Sequence, residues 1–161
     1  MIHVGIDPGV SGAVAVIDRG ALCVHDPVLY TKRGKNRISP YWALELFKAL
    51  GNTEVSVLIE EQWPRPGEGA LGAFAAGYNL CVYEVAARAH GAKIDYVLPQ
   101  AWKKHYGLLF PAGTHLKAVK TASRVKAADL FPASAEFFKR VKDDGRAEAA
   151  LIAWWGKQTI K

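Results

Sequence analysis

The feature that most constrains this chain is its first stretch, Ile2-His3-Val4-Gly5-Ile6-Asp7-Pro8-Gly9, an apolar run that ends on a carboxylate and then turns. Residues His3 to Ile6 are apolar or small on nearly every side, which suits a central strand covered on both faces. Pro8 cannot donate to a ladder and Gly9 can supply the positive φ of a tight turn, so the strand stops at Asp7. After Gly12, Ala13 to Asp18 resumes as a second strand. Ala21 to Val28 follows as a third after the turn at Asp18-Arg19-Gly20, closing an antiparallel meander. An Asp-Pro-Gly turn start accounts for Asp7 by itself, since aspartate favours such positions. An acid at the end of a buried strand is nevertheless costly unless an arginine, a lysine or a metal meets it.

The chain has 161 residues, half of them hydrophobic, which is enough for one domain over 1–161 and short for two. A net charge of +6 points to an anionic partner. No apolar run approaches the roughly 18 residues of a spanning helix, and no basic leader with a cleavage site precedes the first strand, so no membrane is expected. Cys23 and Cys81 lie far apart in apolar company without a Cys-x-x-Cys spacing, and are expected to be reduced core thiols of a cytoplasmic protein.

Thr31 to Arg37, carrying Lys32, Arg33 and Lys35, is polar and basic and reads as an exposed loop. Ser39-Pro40 starts a helix that Gly51 ends, with Leu44, Phe47, Ala43 and Leu50 as its buried stripe. Val55 to Ile59 is a β-branched strand that again ends in acid, Glu60-Glu61. A right-handed crossover lays it parallel to the first strand, bringing one acid of the pair to Asp7, because alternation sends the other away. A loop from Trp63 to Gly69, which holds Arg65, leads to a helix from Ala70 or Leu71 to His90, closed by Gly91. The many small residues of that helix suit close packing on the sheet or a dimer contact. Lys93 to Leu98 is a fifth strand, and Pro99 opens a short helix with Lys103 and Lys104. The fold class is α/β, a five-stranded mixed sheet of a three-strand antiparallel meander plus two parallel strands, flanked by helices.

Thr114 to Leu130 is helical by propensity and sets Lys117, Lys120 and Arg124 on one face. That face is either an ordinary solvated one or a phosphate-contacting ridge joined by Lys103, Lys104 and the basic loop. In the last helix Asp144 and Glu148 lie about 40° apart around the axis, against roughly 140° for Asp143 and Glu148. Helix capping also accounts for Asp143 or Asp144. If these acids converge with Asp7 and Glu60, their repulsion demands added positive charge. Oxygen-only donors suit Mg²⁺ or Mn²⁺, and no compact Cys/His set suits zinc. Two such ions roughly 4 Å apart activate a water and stabilise the leaving oxygen of a phosphodiester.

Taken together, Gly5-Ile6-Asp7-Pro8-Gly9 with Gly12, Leu58-Ile59-Glu60, Pro99-Gln100-Ala101-Trp102-Lys103-Lys104, Ser123-Arg124, Leu130-Phe131-Pro132 and Asp144-Gly145-Arg146-Ala147-Glu148 resemble the RuvC-type Holliday junction resolvases of the RNase H-like superfamily. The likeness is greatest to the compact bacteriophage and prophage forms. It implies a homodimeric, Mg²⁺-dependent endonuclease of the bacterial or phage-infected cytoplasm that resolves four-way DNA junctions by paired nicks, leaving 5′-phosphates. It also implies that Asp7, Glu60, Asp144 and Glu148 bind two metal ions per site and that Trp63 stacks near the crossover. Arg65, Lys103, Lys104, Lys117, Lys120, Arg124, Lys32, Arg33 and Lys35 are the expected DNA contacts. Cellular members of the family space their last two ligands three apart, whereas Asp144 and Glu148 are four apart, which leaves Asp143 as a reserve third ligand. A related nuclease for other branched DNA or RNA–DNA hybrids, and a non-catalytic junction-binding protein, are the alternatives. An actin-like nucleotide-binding fold would need a second domain, so no nucleotide cofactor is expected.

Overall fold

The computed structural model describes residues 1–63, 67 and 69–160. Its strands are β1 (Ile2–Asp7), β2 (Ala13–Asp18), β3 (Ala21–His25), β4 (Leu29–Lys32), β5 (Lys35–Ile38), β6 (Val55–Glu60) and β7 (Lys93–Val97). Five form one sheet in the order β3-β2-β1-β6-β7, antiparallel from β3 to β1 and parallel from β1 to β7. Ile6 lies opposite Ile59 in the parallel pair, so Asp7 and Glu60 emerge at the same sheet end, as the crossover requires. This is the expected RNase H-like arrangement of meander plus parallel strands.

Helices α1 (Pro40–Lys48) and α2 (Ala70–His90) cover one face of this sheet, and α5 (Asp144–Thr159) covers the other. Between β7 and α5 come α3 (Pro99–His105), α4 (Leu116–Leu130) and a 3₁₀ turn over Pro132–Phe138. The alanine-rich character of α5 has a geometric reason. A Cβ on Gly5 would stand 2.2 Å from the Ala153 nitrogen and 2.4 Å from the Ala149 oxygen, so α5 rests its backbone directly on the centre of β1.

Several expectations need correction. Gly9 is not in the positive-φ region; the turn closes by the Gly12 N–H donating to the Gly9 oxygen at 2.9 Å. Thr31 to Arg37 is no loop but most of the β4–β5 hairpin, whose turn residues Arg33 and Gly34 have φ of 52° and 71°, the signs of a type I′ turn. Its β4 strand is exposed throughout, which is why a polar sequence concealed it. β3 stops at His25 ahead of Pro27. Ser39 caps α1 as expected, its Oγ accepting from the Trp42 N–H at 3.3 Å, but the buried residues are Ala43 and Phe47 while Leu44 is 42% exposed. Cys23 and Cys81 are exposed, not core. By length and composition α2 is long and apolar enough to cross a membrane, although its inner face, Asn79, Val82, Tyr83, Ala86 and Ala87, packs into the domain.

Gly5→Ala is expected to force α5 off β1 and destabilise the fold by about 2–3 kcal/mol in urea unfolding. Gly77→Ala, in open space on α2, is expected to stabilise it by about 0.5–1 kcal/mol. Equal effects of the two would remove the close α5–β1 contact as the constraint.

Candidate active site

The strand ends and the first turns of α5 bring three acids to bear on one another. The Asp7 Oδ1 accepts from the Gly9 N–H at 3.3 Å. Burial first, then the charges of Glu60 and Glu148, push the Asp7 carboxyl up to about 8; the Gly9 N–H and Lys103 only partly counter them. Asp7 is therefore largely protonated at neutral pH unless a stronger cation joins it.

Each neighbouring acid is held by a partner. Glu60, 8% exposed, accepts from the indole Nε1 of the buried Trp102 at 2.9 Å, whereas Glu61 points elsewhere and accepts from the Trp63 Nε1 at 3.3 Å. Glu148 accepts from the Ser123 Oγ at 3.4 Å and meets the Lys103 ammonium at 3.5 Å. Asp144 forms a 2.5 Å ion pair with Lys120 and is not among the main charges acting on Asp7. Asp143, 1% exposed, accepts from the Arg140 backbone N–H at 2.8 Å and from its guanidinium, with Arg146 at 3.8 Å. Burial alone would raise the Asp143 carboxyl, but these cations outweigh it and hold it below the usual range. Arg146 continues the network to Asp26.

Gly145 occupies the position three before Glu148. A Cβ there would lie 2.3 Å from the Ser11 oxygen and 2.7 Å from the Gly12 Cα, so no side chain fits. The acid of this turn consequently stands one residue earlier, at Asp144.

The expected basic ridge on α4 is not continuous. Lys120 turns to Asp144, and Arg124 donates to the Phe138 and Lys139 oxygens at 3.4 Å and to the Thr121 Oγ1 at 3.1 Å. Lys117, Lys104, Lys32, Arg33 and Lys35 are exposed, and Trp63 is 70% exposed near Glu60. Arg65 lies outside the described residues. Trp102 and Ser123 belong to segments that carry the family resemblance but had no expected site role, because neither indole nor hydroxyl spacing signals a carboxylate partner.

Among the described residues no three acids already form a ligand cage. The all-oxygen donors Asp7, Glu60 and Glu148, with Asp144 beyond them, nonetheless fit a hard divalent cation. The lysines on Glu148 and Asp144 supply part of the positive charge the group needs.

The sign of the Asp7 shift gives a pH-dependent stability. With a folded pKa above the unfolded one, folding favours the protonated acid, so stability falls as pH rises from about 4 through 8. In EDTA, Asp7→Asn is expected to gain little at pH 4 and on the order of 2–5 kcal/mol at pH 8.5 in urea unfolding. A gain independent of pH would contradict this.

No protein-family model matches the chain, and no curated protein matches it in sequence. Solved structures of Thermus thermophilus RuvC do match its fold. One, in complex with a Holliday junction substrate, has a TM-score of 0.65 over 99% of this chain and 97% of that one at 19% identity. Another has a TM-score of 0.62 over 98% and 96% at 21% identity. With its β3-β2-β1-β6-β7 sheet, this chain has the RuvC-like, RNase H-like fold along nearly its whole length.

Proposed function

We propose that this protein is a divalent-metal-dependent endodeoxyribonuclease that resolves four-way DNA junctions by paired symmetric nicks. The observation that carries the reading is the convergence of Asp7, Glu60 and Glu148 at one sheet end of a RuvC-like fold. The likeness to a RuvC bound to a Holliday junction supports branched DNA as the partner.

Asp7, Glu60 and Glu148 would hold Mg²⁺ or Mn²⁺, two ions per site, with Asp144 as the fourth acid. When bound, such ions supply Lewis-acid charge and acidify a water for attack on a phosphodiester. The chain's own residues orient the acids. Trp102 fixes the Glu60 carboxylate, Ser123 and Lys103 fix Glu148, and the Gly9 N–H fixes Asp7. Such supporting contacts keep donors in place while the substrate is engaged. Lys104, Lys117, Lys32, Arg33 and Lys35 give exposed charge for backbone phosphates, and the exposed Trp63 offers an aromatic face beside Glu60.

Paired symmetric nicks require two sites related by a two-fold axis, hence a homodimer. On α2 the outward residues Leu71, Phe74, Cys81 and Val85 fall three, seven and four positions apart, the repeat of a helix-packing seam, which supports a second copy as partner. We place the activity in the bacterial or phage-infected cytoplasm, where unpaired Cys23 and Cys81 stay reduced.

The test is cleavage of a mobile four-way junction in Mg²⁺ beside matched duplex and flap. Symmetric paired nicks confined to the junction are expected, lost in Glu60→Gln with binding retained. Trp102→Phe is expected to lower the cleavage rate by about 10–100-fold at unchanged junction affinity. Equal cleavage of flap and duplex would replace junction resolution with a general branched-DNA nuclease, and tight binding with no nicking would make the chain a binding protein.

A further inference from the structure

The β4–β5 hairpin leans on α2 through a few defined contacts. The Tyr30 and Tyr78 hydroxyls share a 2.7 Å hydrogen bond, and the Ile38 N–H donates to the Asn79 Oδ1 at 3.4 Å. Between hairpin and helix lies a cleft of about 400 Å³. Its walls include Lys35 and Arg37 from β5, Val10 from the turn after Asp7, and Gln62, two residues beyond Glu60. Gly72 and Ala75 of α2 keep its floor low.

Among the described residues no carboxylate lines this cleft and neither Lys35 nor Arg37 has an ion-pair partner, whereas Arg88, Arg140 and Arg146 each have one. The Arg37 guanidinium instead lies over two rings, its central carbon 5.2 Å from the Phe74 centroid and 5.5 Å from that of Tyr78. Its Nη1 is buried with no hydrogen-bond partner among the described residues. A planar cation held on aromatic faces, with a donor left unsatisfied, is preorganised for a planar or tetrahedral oxyanion. The cleft volume falls within the range of about 300–1,000 Å³ typical of ligand sites.

We propose that this cleft seats a backbone phosphate of the DNA strand close to the one being cut, held by Arg37 with Lys35 beside it. The inference rests on the reading of DNA as substrate and adds a subsite to it. Val10 and Gln62 tie the cleft to the two strand ends that carry Asp7 and Glu60, so a strand lying on the carboxylates passes directly into it. The hairpin thereby fixes register along the strand, a role distinct from the diffuse attraction of exposed lysines. The guanidinium plane matters, and a lysine at the same place cannot reproduce a two-point contact.

The experiment measures equilibrium binding to a four-way junction in EDTA across a salt series. Arg37→Gln is expected to weaken binding about 5–10-fold and lower the log–log salt slope by about 0.9, the value for one lost phosphate contact. Arg37→Lys should lose affinity at an unchanged slope, and Ala75→Leu, which fills the floor without touching Arg37, should weaken binding similarly. Arg19→Gln, on the β2–β3 turn at the far end of the sheet, should change nothing. A single uncharged methylphosphonate within three nucleotides of the cut should weaken wild-type binding by the same factor and leave Arg37→Gln unaffected. An unchanged slope in Arg37→Gln, or methylphosphonate and substitution effects that simply add, would overturn the subsite while leaving the nuclease reading in place. Failure of the wild-type protein to bind the junction would overturn both.

Discussion

Repulsion among three carboxylates at the end of a buried parallel strand pair is the interaction around which the rest of this molecule is arranged. Asp7, Glu60 and Glu148 are brought together by the register of β1 with β6 and by the seating of α5 on the sheet. Left alone, acids in such surroundings resist ionisation, and the rise of Asp7 to about 8, driven first by burial and then by the charges of Glu60 and Glu148, expresses that resistance. Trp102, Ser123, Lys103 and Lys120 each hold one of the outer carboxylates, so that the strain of like charge gathers at Asp7. A site of this kind favours an added cation, and the proposed metal-assisted phosphodiester hydrolysis would draw on that preference.

Close packing makes the convergence possible. Gly5 lets the α5 backbone touch β1, Gly12 clears the Asp7 backbone, and Gly145 lets the start of α5 rest on the turn after β1. At Gly145 this packing excludes any side chain, which explains why the acid of that turn is Asp144 and why its spacing to Glu148 is four. The same crowding ties Asp143 into the Arg140–Arg146–Asp26 network, where it anchors the helix start.

How far the sequence could be read depended on whether a residue's role was local. Strand ends at Asp7 and Glu60, the Ser39-Pro40 helix start and the Gly91 stop follow from backbone chemistry near each residue, and they stand where expected. The β4–β5 hairpin was hidden because β4 is exposed throughout and β5 is buried only at its end, at Ile38, so neither shows a hydrophobic alternation; only the Arg33-Gly34 turn marked it. Helical spacing aligned Lys117, Lys120 and Arg124, but spacing carries no information on what a neighbouring element offers. Asp144 drew Lys120 inward and the carbonyls of the 3₁₀ turn drew Arg124. The roles of Trp102 and Arg37 are long-range, one set by a strand end 42 positions away and the other by α2, so no local pattern could announce them.

The most direct measurement of the central claim is calorimetric titration of the metal-free protein with Mn²⁺ at pH 7, in two buffers of different ionisation enthalpy. Because Asp7 holds its proton at that pH without metal, binding is predicted to release close to one proton per site. Asp7→Asn is predicted to bind at least about tenfold more weakly and release none. Mn²⁺ binding without proton release and unchanged in Asp7→Asn would contradict the account, because the carboxylates at the sheet end would then not be the cation site.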